Sequence, residues 1–336
     1  MELLKKLMNS FGVSGMEGNV RDLIYQQIRP YVNNIHIDKF GNLIAHKKGK
    51  GSKILLAAHM DEIGLMVKKI EEDGRIRCSD IGGFEPIMLV GQRVCINSGK
   101  KRIAAVVTTN EVSNNYPTDT FPKIRDLVID AGLSKSEAVK AGIEIGDYVS
   151  MEHNAINLGS EQVISGKALD DRIGCYALIE AAKRMKKSTN EIFYTFTVQE
   201  EVGLYGAKMS MYDLEPDFAI VVDVTNANDF YDSPSKHLGD GPTITMKDSA
   251  MISNANLVSW IKNTAKEMNI PVQLEVSNFG MTDALSISLS HGGIPSVVVG
   301  VAIRNLHTAS EVAHMGDIEN CVNLLCGLLK KPPKIK

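Results

Sequence analysis

The sequence predicts an α/β protein: a mostly parallel sheet flanked by helices, with a small β module inserted into it. Three observations carry this. From residue 160 onward helical and strand patterns alternate, as in "IGCYALIEAAKRMKK" followed by "EIFYTFTVQE" and "DFAIVVDVT". The run "KILLAAHMDE" is continuously apolar up to its last residues, the mark of a strand covered on both faces. Between about 67 and 159 the texture changes to short β-like runs separated by Gly, Asn and Pro. The domain reading is therefore 1–66 with 160–336 as one domain and 67–159 as the insertion.

The elements follow in order. Residues 1–31 place apolar residues at helical spacing in "LLKKLMNSF" and "VRDLIYQQI", broken by "SGMEG". "HIDKFGNLIAHKKG" alternates as a hairpin, then comes the apolar strand. The insertion holds "GRIRCSDI", "QRVCIN", "RIAAVVTT" and "DYVSME", which together predict an all-β module. After it, "NANLVSWIKNTAKEM" predicts a helix, "IPSVVVGVAI" a strand, and "EVAHMGDIENCVNLLCGLLKK" a final helical segment.

At 336 residues the chain exceeds one typical core. With 44% apolar and 23% charged residues it has the composition of a globular protein. No stretch gives a clean twenty-residue apolar span, and the amphipathic start lacks a signal-peptide core, so a cytoplasmic location is expected. Five cysteines without a CxxC fit reduced thiols. A net charge of −3 provides no broad cationic field for nucleic acid.

Groups able to ligate metal gather where apolar strands finish. "LLAAHMDEIG" offers His59 and Asp61, "GKALDDRIG" offers Asp170 and Asp171, and "TFTVQEEVGLYGA" ends in Glu200 and Glu201. "AIVVDVT" adds Asp223, and "IRNLHTASEV" adds His307. Open α/β sheets bind ligands at the carboxyl edge of their strands, so residues distant in sequence can meet there. Imidazoles and carboxylates together suit divalent cations, and this set fits two ions sharing a carboxylate and a water, with positions open for substrate. The adjacent Glu200 and Glu201 can then divide two tasks, one as ligand and the other as acceptor of the water's proton. Taken singly, each residue also suits a solvated turn, a helix cap or a hydrogen-bonded core histidine. Asp283 in "GMTDALS" is expected to cap a helix rather than meet a substrate amine, and the loop 237–253, with Asp240, Lys247 and Asp248, to line the substrate side.

These motifs, with "AAHMDEIGLMV", "GKALDDRIG", "TVQEEVGLYGA", "VVDVT" and "HTASEV" in order, resemble the M42 metallo-aminopeptidases, the tetrahedral (TET) aminopeptidases. The resemblance implies a zinc-peptidase-like catalytic domain whose inserted β-barrel-like domain mediates dimerisation, with dimers assembling into a homododecamer. It implies two divalent ions per subunit, Zn2+ or Co2+, bridged by Asp170, with His59 and Glu201 completing one ion and Asp223 and His307 the other. Asp61 would orient His59, and Glu200 would be general base for a metal-bridged hydroxide that releases N-terminal residues from peptides. The stretch 114–127 resembles a segment that reaches toward a neighbouring active site. Asn305 stands where the family pattern leads one to expect an aromatic residue. Other readings stay open: an amidase or deacylase of the same dinuclear type, a glycoside hydrolase working with two carboxylates, or a scaffold with structural metal.

Overall fold

The computed structural model describes residues 2–99, 101–109, 121–227, 229 and 236–333. The first two helices form where the apolar spacing places them, α1 (Glu2–Asn9) burying Leu4, Leu7 and Met8, and α2 (Gly18–Ile28) burying Val20, Ile24 and Ile28. The hairpin is β1 (Asn34–Ile37) and β2 (Leu43–Lys47). The apolar strand is β3 (Lys53–His59), buried throughout after Lys53.

Six strands then close a barrel: β4 (Gly64–Ile70), β5 (Ile76–Ile81), β6 (Arg93–Ser98), β7 (Lys101–Thr109), β8 (Leu127–Asp130) and β9 (Tyr148–Met151), in the order β4-β5-β8-β7-β6-β9. Closure leaves no open sheet edge, and alternate residues such as Val67, Val94, Ile96, Val107 and Val149 fill the interior. The module is not all-β as expected. It contains α3 (Lys135–Ala141), started by a reciprocal Ser134–Glu137 cap and stopped by Gly142 at φ 96°. Of the stretch 114–127, residues 114–120 lie outside the described residues.

The remaining elements are β10 (Ile156–Asn157), β11 (Val163–Gly166), α4 (Leu169–Arg184), β12 (Glu191–Thr197), α5 (Tyr205–Ser210), β13 (Phe218–Asn226), β14 (Thr243–Lys247), α6 (Ala255–Glu267), β15 (Gln273–Val276), α7 (Asp283–Ser288), β16 (Ser296–Arg304), β17 (Glu311–His314) and α8 (Met315–Lys330). "EVAH" is thus a strand, pairing with β11 and β16, and the last helix starts only at Met315. The part 237–253 expected as a loop contains β14.

The large sheet runs β1-β2-β12-β3-β13-β16-β17-β11-β10, with β14 on β16 and β15 on β14. Its centre, β12-β3-β13-β16, is parallel, while β1, β2, β17, β11 and β10 extend it antiparallel, so the sheet as a whole is mixed. Along β3, Ile54, Leu56 and Ala58 join the core under α1, α2, α4 and α8. Leu55 and Ala57 face α5 and α7 with Ala219, Val221, Ala284 and Ile287. Burial on both faces is why these strands read as unbroken apolar runs. Among the described residues no helix is long and apolar enough to cross a membrane.

Candidate metal centre

All four parallel strands deliver a polar group at their carboxyl ends. His59 is the last residue of β3 and Asp223 lies near the end of β13; the turn 199–201 follows β12, and His307 follows β16. Asp170 enters from the start of α4, where a cis peptide joins it to Asp171. The chain bends sharply around these residues: Ala168, Gln199, Leu204, Asn305 and His307 have φ of 56°, 54°, 58°, 57° and 60°. For residues with a Cβ this left-handed region is uncommon and concentrates at functional sites. Asn is among the residues that tolerate it best, which gives Asn305 a backbone reason to stand before "LH".

The turn after β12 is held by buried carboxylates. Asp61 accepts hydrogen bonds from the backbone N–H of Glu200 (3.0 Å) and Glu201 (3.2 Å) and from the Ser14 hydroxyl (2.6 Å). Glu17 accepts from the Gln199 N–H at 3.2 Å. Three successive amides therefore point at anions behind the turn, which sends the two Glu side chains forward into the site. Asp61 also lies 3.5 Å from His59 Nδ1. Glu62 joins Lys167 (2.5 Å), Arg172 (3.6 Å) and the Gly12 N–H (2.9 Å), tying the N-terminal segment to the foot of α4.

In front, five of the predicted residues converge. His59 Nε2 is 2.9 Å from Asp170 Oδ1 and 3.9 Å from Asp223 Oδ1. His307 Nε2 is 3.2 Å from Asp170 Oδ2 and 3.6 Å from Glu201 Oε2. Two groups of potential ligands result, His59–Asp170–Asp223 and Asp170–Glu201–His307, sharing Asp170. The expected partition is corrected: His59 goes with Asp223, because β13 pairs directly with β3, and Glu201 goes with His307.

His59–Asp170 and His307–Asp170 lie within hydrogen-bond reach, but the other two spacings fit a shared cation better than direct pairing. Distances of 3.6 and 3.9 Å exceed a hydrogen bond, whereas ligands at ~2.1 Å around a tetrahedral ion sit about 3.4 Å apart. The charge balance agrees. Burial, with repulsion from Asp170, pushes the carboxyls of Glu201 and Asp223 up to about 8, and burial raises Glu200 well above its ordinary range. Burial pulls His307 down, but the hydrogen bond its imidazole donates to Asp170 and the nearby Glu201 outweigh it and lift it to about 10. Asp170 is opposed by burial yet held low by the two imidazoles. Acid groups that hold protons this strongly lack positive charge, which divalent cations supply.

A stability consequence follows for the metal-free protein. Glu201, Asp223 and His307 bind protons more tightly when folded. Their contribution is fully present below the unfolded values, ~4 for the carboxylates and ~6.5 for the imidazole, and is lost as pH rises through the folded ones. In chelator, the melting temperature is expected to fall by roughly 5 °C between pH 5 and pH 8.5. Added Zn2+ or Co2+ is expected to flatten the decline. A level profile in chelator, measured by calorimetry, would contradict this electrostatic account.

Several contributors were not legible beforehand. Glu311 accepts from the Asp170 N–H (3.1 Å) and the His307 N–H (3.0 Å), fixing both backbones; "HTASEV" contains it but gives no sign of its partners. Asp283 does not cap α7, since Thr282 does so through the Ala284 N–H; Asp283 is buried, accepts the Thr197 hydroxyl, and is raised by burial to about 6. Asp171 accepts from the Gly174 N–H and stays behind the site. Asp248 caps its own turn through Ala250 and Met251, and Lys247 donates to the Asp248 and Ser277 carbonyls.

The centre opens on a cavity of about 580 Å³, lined also by Thr225, Lys236, Thr245 and Glu275. The barrel meets it at Gly82, φ 80°, where a Cβ would stand 2.7 Å from Ile63 and 3.3 Å from Glu201. Glycine is required there by both the backbone and the close approach.

Comparison with known proteins agrees with this geometry. Residues 41–324 match the family model described as M42 glutamyl aminopeptidase. A lysyl aminopeptidase of Pyrococcus furiosus is 35% identical, with 98% of this chain and 96% of the relative covered. The structure superposes on a TET aminopeptidase from a marine sediment Thaumarchaeota archaeon with TM-score 0.96 and 33% identity, covering 99% and 97% of the two chains. It likewise matches the TET1 peptidase of Pyrococcus horikoshii, which can assemble into a tetrahedron or a large octahedral shell, with TM-score 0.88 and 31% identity over 98% and 99%. Members of this family are metal-dependent hydrolases, and by sequence, fold and the convergence of its acidic and histidine side chains this chain belongs to the M42 aminopeptidase family.

Proposed function

We propose that the protein is a dinuclear aminopeptidase that removes N-terminal residues from peptides. In this reading His59, Asp170 and Asp223 hold one divalent ion, and Asp170, Glu201 and His307 hold the other, Zn2+ or Co2+. What supports it above all is the placement of Asp170, whose two oxygens lie 2.9 Å from His59 and 3.2 Å from His307. The ions, when bound, supply Lewis acidity for the scissile carbonyl and acidify the attacking water.

The chain's own residues do the rest. Glu200 projects into the cavity from a turn locked by Asp61, outside both ligand groups, and its raised proton affinity suits a group that takes a proton and gives it back. It accepts the proton of the attacking water and delivers it to the departing amine. Asp61 orients His59 and presets the turn, so little reorganisation accompanies reaction. The buried walls keep bulk water from the developing charge. A glycosidase pair of carboxylates leaves both imidazoles without a task, and a structural zinc site is usually closed by thiolates, absent from these two groups. Assembly into a dodecamer is proposed from the similar PhTET1-12s structure, a dodecamer, and the barrel as dimerisation domain from the family resemblance.

The test is a panel of aminoacyl-p-nitroanilides with N-acetylated counterparts. Free-amine substrates are expected to be cleaved, with activity lost in chelator and restored by Zn2+ or Co2+. Release of acetate from the acetylated set, with no p-nitroaniline released from the free-amine set, points instead to a deacylase, and activity that survives thorough chelation sinks the dinuclear reading.

A further inference from the structure

Away from the metal-ligating residues, the cavity wall carries a second polar cluster. The Glu275 carboxylate on β15 accepts hydrogen bonds from the Thr225 hydroxyl (2.7 Å) and the Thr245 hydroxyl (2.9 Å), and pairs closely with the Lys236 ammonium. Lys236 also donates to Thr225 at 2.6 Å. The two charged side chains are only 7% and 8% exposed, yet both line the cavity. Thr225 stands two residues beyond Asp223 on β13, hence on the same face and about 7 Å further along the strand. The pair therefore lines the same cavity as the metal-ligating groups, within reach, on the aminopeptidase reading, of the side chain of the residue being removed. Gly300 lets β14 lie against β16 at the edge of this cavity, because a Cβ there would meet the hydroxyl of its cross-strand partner Thr243 at 2.5 Å.

We infer that Lys236 and Glu275 form a pre-neutralised end wall that makes the enzyme prefer peptides with an uncharged N-terminal side chain. The inference rests on the aminopeptidase reading and extends it to the substrate. A lysyl side chain reaching this wall meets the Lys236 ammonium, and a glutamyl side chain meets the Glu275 carboxylate. Either must break a buried pair or bring a third, uncompensated charge into a dry site. Apolar or amide side chains meet a Lys236–Glu275 pair whose charges already cancel. Removing one partner exposes the other: without Lys236 the carboxylate becomes a receptor for lysine, and without Glu275 the ammonium becomes a receptor for glutamate.

The experiment compares kcat/KM for leucyl-, methionyl-, glutaminyl-, lysyl- and glutamyl-p-nitroanilide on the metal-loaded wild type, Lys236→Met and Glu275→Gln. The wild type is expected to favour the uncharged substrates at least tenfold over both charged ones. Lys236→Met is expected to raise the lysyl:leucyl ratio at least tenfold, and Glu275→Gln the glutamyl:leucyl ratio by as much. Free L-lysine is expected to raise the melting temperature of Lys236→Met and leave the wild type unmoved. A wild type that prefers a charged substrate overturns the inference, as do ratios that stay within twofold in both variants. Should a variant not fold, the wild-type order alone decides. A wild type that cleaves no member of the panel refutes the aminopeptidase reading itself and this inference with it, whereas the preceding outcomes refute only the end wall.

Discussion

Replacing Glu200 by glutamine is expected to lower kcat by about 10²- to 10⁴-fold, the usual contribution of a positioned acid–base group, with both metal ions retained. The side chain keeps its length and a carbonyl oxygen. The turn keeps its shape, because Asp61 holds the backbone N–H of Glu200 and Glu201 rather than their carboxylates. What disappears is the only function assigned to Glu200, transfer of a proton. KM is therefore expected to change little, and metal content measured by plasma emission to stay at two per chain. The substitution also removes a carboxyl whose ionisation burial opposes in the fold but not in the unfolded chain, so the metal-free variant is expected to melt above the metal-free wild type at pH 8. Near-normal turnover with two ions bound would remove Glu200 from the mechanism.

Asp170→Asn is expected to be more damaging still and in a different way. Asp170 belongs to both ligand groups, and each of its oxygens faces a different imidazole. Asparagine keeps the volume but offers one oxygen, no charge and an N–H2 that repels a cation. Affinity is expected to fall at both positions by more than about 100-fold, the upper figure for losing a mere outer partner of a ligand. Activity should drop to background even with excess Zn2+. Asp223→Asn is the control, since it touches one group only, and is expected to retain the ion of the other. Equal metal loss in the two variants, measured by equilibrium dialysis, would contradict the bridging role.

The strands that build the centre were legible because both faces of β3, β12, β13 and β16 are covered, leaving continuous apolar runs that end abruptly in His, Asp or Glu. The grouping of the potential ligands was not legible, since it depends on β13 lying beside β3, and strand order is a tertiary fact. "EVAH" is a strand that the sequence does not separate from the helix after it, because four residues before a strongly helical run carry too little periodicity of their own. The helix in the barrel announced itself only by Ser134 and Glu137, a cap signature easily lost among turn residues. Glu311, Glu275 and Lys236 carry no local mark at all. Each is a single polar residue whose meaning comes from side chains brought to it from elsewhere in the chain.

The Glu311 carboxylate, gripping the amides of Asp170 and His307, has a consequence for biosynthesis. Asp170 is translated about halfway along the chain, but the anchor that fixes it, the imidazole beside it and the central strand β16 all come from the last portion. A fragment that stops short of these residues therefore lacks one of the five converging side chains and the anchor of two backbones, and holds no assembled site.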